Sequence, residues 1–195
     1  MSLLLAALAG ALLGSIPFGL VLTRAAGLGD IRQIGSGNIG ATNVLRTGNK
    51  ALAAATLILD AGKGAVAVLI AGAIWTDPWA GPIAGFAALL GHLFPPWLGF
   101  KGGKGVATGL GVLLAAAPWA GLAACGVWLA AAAITRISSA SALTAIAASP
   151  LLAFVLGDGR AAWLALAMAL PILWRHEANF RRLLAGTEPR IGSRR

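Results

Sequence analysis

Charge is confined to narrow bands of this chain, and that confinement limits its folds more than any other feature. The stretches 2–23, 51–75, 79–98, 105–134, 139–157 and 161–174 contain, as acidic or basic side chains, only Asp60, Lys63 and His92. The first is about as long as a bilayer-crossing helix needs to be. The whole chain is 58% hydrophobic and 11% charged, whereas soluble domains are nearer half apolar and a quarter charged. One water-soluble core cannot hide that imbalance. The expected fold class is an all-α integral membrane protein. No positive residue precedes the first run, so it lacks the basic start of a secretory signal and reads as a retained span.

The 105–134 run is either one long helix or a hairpin broken near Pro118, and the basic residues choose between them. With a hairpin there are seven transmembrane helices, over about 2–23, 51–75, 79–98, 105–117, 119–134, 139–157 and 161–174. One side then carries Arg24, Arg32, Arg46, Lys50, Lys101, Lys104, Arg136, Arg175, Arg181, Arg182, Arg190, Arg194 and Arg195, and the other only Arg160. With one long helix the count becomes 7 against 7. Cytoplasmic loops collect Lys and Arg, so the hairpin is favoured. The N-terminus is expected outside and the C-terminus in the cytoplasm. The net charge of +9 therefore belongs to loops around apolar spans, and no nucleic-acid partner is expected.

Gly35-Ser-Gly-Asn-Ile-Gly40 spells G-x-G-x-x-G, and Asp60 follows twenty positions later. That fingerprint binds a dinucleotide only after a strand, at the opening of a helix. Here it lies in a loop after an apolar helix, and Asp60 falls inside the next span. The dinucleotide reading fails, although loop glycines still leave backbone N–H groups open to an anion.

Nearly all the remaining polar groups fall on the cytoplasmic side. Ser36, Asn38, Thr42, Asn43 and Arg46 lie in the first loop, and Lys101-Gly-Gly-Lys-Gly105 precedes the fourth span. Arg136 with Ser138, Ser139 and Ser141 stands between the fifth and sixth, and His176-Glu-Ala-Asn179 opens the tail. Small hydroxyl and amide side chains, glycines and cations together suit phosphate-bearing substrates. Each has a plainer reading: basic loop residues serve topology and headgroups, and glycines let helices approach. His92 is structural or functional with equal claim. Asp60 and Lys63, three apart on one helix, form a mutual ion pair or help to draw an anion into the bundle. Two histidines and one cysteine offer no metal site, and Cys125 alone excludes an intrachain disulfide. A serine hydrolase built on Ser36 with His92 or His176 lacks an orienting acid. A transporter for organic phosphate anions would use the same basic vestibule, but needs a second polar mouth that the outer side does not supply.

Several motifs taken together resemble the bacterial acyl-phosphate:glycerol-3-phosphate acyltransferase family. They are Ser36-Gly-Asn-Ile-Gly-Ala-Thr-Asn-Val-Leu-Arg46, Asp60-Ala-Gly-Lys-Gly64 and Gly91-His-Leu-Phe-Pro95. Phe100-Lys-Gly-Gly-Lys-Gly-Val-Ala107 and His176-Glu-Ala-Asn-Phe-Arg-Arg-Leu-Leu-Ala-Gly-Thr-Glu188 complete the set. Phe180 stands where the family usually has Ile, and Ser139 and Ser141 compete for one polar position. The resemblance implies acyl transfer from acyl phosphate to the first hydroxyl of glycerol 3-phosphate, giving lysophosphatidate and phosphate without a cofactor. It implies catalytic roles for Ser36, Arg46, Lys104, His176 and Asn179. Substrate binding is expected from Asn38, Thr42, Asn43, Lys63, Gly102, Gly103, Gly105, Ser139 and Ser141, with polar support from Asp60, His92, Arg136 and Glu188. His176 is either the general base or only a ligand. The lipid bilayer is a partner, and the soluble enzyme that forms the labile acyl phosphate is a further expected one.

Overall fold

The computed structural model describes residues 1–192, so Arg194 and Arg195 of the charge count lie outside the described residues. Every regular element in it is helical. Four helical stretches are long and apolar enough to cross a bilayer: Ser2–Ala25, Lys50–Ile74, Pro118–Thr135 and Ser138–Leu156. The burial pattern inverts that of a soluble protein. Ala6, Ala84, Ala88, Ala120, Ala124, Ala145 and Ala165 are fully or almost fully buried, while Leu4, Leu12, Ile58, Leu69, Leu129, Leu151 and Phe154 point outward. Small residues inside let helices approach closely, and large apolar ones outside suit a hydrocarbon solvent.

The first apolar stretch is two helices, α1 (Ser2–Gly14) and α2 (Phe18–Ala25). Pro17 has no N–H to continue the ladder, so the chain breaks at 15–17. The carbonyls freed there find side-chain partners: Lys63 Nζ donates to Ile16 O at 2.7 Å, and Trp97 Nε1 to Ser15 O at 3.1 Å. A Cβ at Gly10 or Gly14 would run into the backbone of Ala84 or Ala88, which is how tightly α1 lies on α5 (Ala80–Leu93).

A one-turn helix, α3 (Ala41–Val44), precedes α4 (Lys50–Ile74), whose start is capped by Asn49 Oδ1 accepting from Leu52 N at 3.0 Å. The helix predicted over 79–98 ends at Leu93, because Pro95 and Pro96 cannot extend it. The 105–134 run is interrupted at Ala117, giving α6 (Val106–Ala116) and α7 (Pro118–Thr135). A side chain on Gly121 would strike the backbone of Leu113 and Leu114, so α7 turns back on α6. Helices α8 (Ser138–Leu156) and α9 (Gly159–Trp174) complete the bundle, and the short amphipathic α10 (Glu177–Leu184) follows.

Candidate functional site

Lys104 leads into α6 on a turn that only glycine allows. Gly105 sits at φ +86°, and a Cβ there would press on Leu89 and Leu93. At Gly103 a Cβ would land on the His92 imidazole. These two constraints account for the spacing of Lys101-Gly-Gly-Lys-Gly105. The turn places Lys104 Nζ against Asn179 Oδ1 on α10.

From Asn179 the hydrogen bonds run on through the tail. Asn179 Nδ2 donates to Glu188 Oε1, which also accepts from Ser139 Oγ at 2.7 Å, and Arg182 Nε donates to Glu188 Oε2 at 2.6 Å. Burial pushes the Glu188 carboxyl up, but the bonds from Ser139, Asn179 and Arg182 outweigh it and hold it below the usual range. Further along, Ile191 N–H donates to Arg136 O at 2.7 Å, strapping the tail to the start of α8.

Lys104 titrates at about 8. Burial is the main cause; Glu188 opposes it, and the cations Arg182, Arg46 and Arg175 add to it. One carboxylate thus faces four cations, and the cluster favours a further anion. His176 is buried and titrates at about 4, chiefly through burial, with an opposing backbone bond and the nearby Lys104 charge. Its Nδ1 lies 2.8 Å from Ile172 O. A carbonyl only accepts, so Nδ1 carries the proton and Nε2 carries the lone pair. At neutral pH His176 is a neutral hydrogen-bond acceptor.

The first loop folds around Asn43. Its Nδ2 reaches the carbonyls of Ile31, Ile34 and Asn38 at 3.0, 2.9 and 2.7 Å. Its Oδ1 accepts from Ser36 N at 3.0 Å, Ser36 Oγ at 3.3 Å and Arg46 Nη1 at 3.3 Å. Asn43 therefore builds the loop, while Ser36 and Arg46 remain exposed to a ligand. Asn38 Oδ1 likewise accepts from Gly40 N–H. Thr42 Oγ1 lies 3.0 Å from Ser138 Oγ, tying the loop to α8.

Other expected site residues are used differently. The N–H groups of Gly102 and Gly103 donate to Leu93 O and His92 O, so they are not free for phosphate. Ser139 faces Glu188, whereas Ser141 bonds back to Ile137 O and is fully buried. Lys63 lies 2.8 Å from Asp60 Oδ1, with both side chains buried, and its bond to Ile16 O closes the break before α2. That is the structural alternative for this pair. His92 Nδ1 stands 3.7 Å from the same Asp60 oxygen. Arg136 is exposed and takes part through its carbonyl. Sequence reasoning left out Arg175, counted only as a topology charge, whose guanidinium donates to Gly102 O. Its place between Trp174 and His176 was the one available signal. Among the described residues no three metal-ligating side chains come together.

A family model described as glycerol-3-phosphate acyltransferase matches residues 4–186. A protein of that name from Agrobacterium fabrum is 63% identical over 192 residues, 98% of this chain and 93% of its own. One from Paramagnetospirillum magneticum is 61% identical over 197 residues, 100% of this chain and 96% of its own. Two crystal structures of PlsY, an integral membrane glycerol 3-phosphate acyltransferase, are also similar. Its glycerol 3-phosphate form has a TM-score of 0.91 at 40% identity, and its lysophosphatidic acid form 0.89 at 39%. Each comparison covers 98% of this chain and 96% of the other. The chain belongs to the glycerol-3-phosphate acyltransferase family.

Proposed function

We propose that the protein moves an acyl group from acyl phosphate to the first hydroxyl of glycerol 3-phosphate, releasing lysophosphatidate and inorganic phosphate. The observation that carries this reading is the Lys104–Asn179–Glu188 cluster, ringed by Arg46, Arg175 and Arg182. The donor is an activated mixed anhydride, so positioning and charge stabilisation do most of what is needed. Lys104 and the open end of α6 hold the donor phosphate. Ser36, Arg46 and Asn179 hold glycerol 3-phosphate, and the lone pair on His176 Nε2 orients its hydroxyl. The new ester bond forms between that oxygen and the acyl carbon. The carbon–oxygen bond to phosphate breaks, and its electrons leave with the phosphate. With His176 so weak a base, the departing phosphate takes the hydroxyl proton. The acyl chain lies between helices, within the bilayer.

The same reading gives the chain seven spans, an outer N-terminus and a site on the cytoplasmic face of the bacterial inner membrane. The breaks at Ala117 and after Leu93 support that count, as does the one-sided distribution of Lys and Arg. The sparse polar groups at the other end speak against a transported anion.

The test uses the purified chain in lipidic mesophase with palmitoyl phosphate and glycerol 3-phosphate, following phosphate and lysophosphatidate together. Product is expected only with both substrates. Lys104→Ala should lower turnover by about 10²-fold or more, the cost of losing one preorganised stabilising donor. Phosphate release without glycerol 3-phosphate, or an unchanged Lys104→Ala, counts against the proposal.

A further inference from the structure

The turn that presents Lys104 has a partner on each side of its backbone. On one side Gly102 and Gly103 donate their N–H groups to Leu93 O and His92 O. On the other, Arg175 Nη2 donates to Gly102 O at 2.9 Å and Nε approaches Gly103 O at 3.4 Å. A guanidinium is a rigid, planar fork of donors, suited to two successive carbonyls in a way an ammonium is not. It is itself held in place: Phe94 lies 5.9 Å from its Cζ, and Trp174 packs on Phe94 with ring centroids 6.1 Å apart. Arg175 is also the residue before His176, so one side chain links the Lys104 turn to the start of the segment that carries His176 and Asn179.

We propose that Arg175 is a positioning residue for the acyl transfer: by clasping the Gly102 and Gly103 carbonyls it fixes the distance from Lys104 to His176 and Asn179. The inference rests on the acyl-transfer reading above. Without the clasp the Gly102–Gly103 peptide keeps only its N–H bond to His92 O, the Gly103–Lys104 peptide is free to turn, and Lys104 loses its fixed place. A misplacement of about 1 Å costs on the order of 10²-fold in rate.

The experiment measures kcat and KM for both substrates with the full chain in bilayers. Wild-type turnover that needs both substrates establishes the reaction; its absence overturns the reading and this inference with it. Given an active wild type, Arg175→Gln is expected to lower kcat by about 10²-fold and to change KM by less than about threefold. Arg175→Lys should fall between, since one ammonium does not reproduce the fork. Arg175→Ala should regain turnover when guanidinium ion is added well below denaturing concentration, and not with ammonium. An unchanged kcat in Arg175→Gln overturns the inference. So does a raised KM with kcat intact, the pattern of a cation that binds substrate directly. If Arg175→Gln does not survive purification, Arg175→Lys decides, and wild-type turnover in it overturns the inference.

Discussion

Two residues set how the site responds to pH. Lys104 is a cation below about 8, so kcat/KM for the proposed acyl-phosphate donor is expected to fall as pH rises through that value. Lys104→Arg, charged beyond pH 12, should remove that alkaline limb whatever its absolute rate. His176 stays neutral down to about 4, so it should add no limb near its ordinary value. A limb near pH 6 shared by wild type and His176→Gln belongs to the substrate phosphate. Stability carries the same signature. Between 6.5 and about 4 the unfolded chain takes up a proton at His176 that the folded one does not. Thermal stability should therefore drop as pH falls through that window, and less steeply in His176→Gln. The sequence placed Lys104, His176 and Asn179 among the polar groups of one side, and the motif resemblance gave them catalytic roles. It did not show that Arg175 clasps a backbone, because a basic residue reads the same whether its partner is a ligand or a carbonyl.

At the scale of helices, small residues and one buried ion pair hold the arrangement. Gly14 leaves no room for a side chain against Ala88, so Gly14→Leu should lower thermal stability by about 1–3 kcal/mol or more. Asp60 and Lys63 are buried together. Removing one partner strands the other charge, at about 3–5 kcal/mol, whereas removing both is much milder. Thermal melts should therefore rank Lys63→Met below the double variant Asp60→Asn/Lys63→Met. The reverse order would mean that Asp60 matters through a partner other than Lys63, such as His92 at 3.7 Å from the same oxygen. Helix ends were partly legible: Pro118 marked the break beside Ala117, whereas the run read over 79–98 passed through Pro95 and Pro96, which stop the helix at Leu93. The interruption at 15–17 escaped an apolarity reading, which responds to side-chain chemistry and not to the N–H that Pro17 lacks.

For the whole molecule, the proposed topology places Arg160 and Arg181 on opposite faces of the bilayer. In a Cys125→Ser background, an impermeant maleimide should label Arg160→Cys on intact cells and Arg181→Cys only after permeabilisation. Equal labelling on intact cells would remove the seven-span arrangement. The bands of charge made the helical membrane class readable at once. The strap from Glu188 and Ile191 back to Ser139 and Arg136 was not, since contacts between loops leave no periodic trace in the residues that make them. That strap also orders events in time. A growing chain threaded into the membrane as far as Trp174 already displays Lys104 and the first loop, yet still lacks Asn179 and Glu188. On the proposed reaction such an unfinished copy would not consume the reactive donor; competence would arrive as one late step, when the segment 175–188 has been made and has folded back onto what came before.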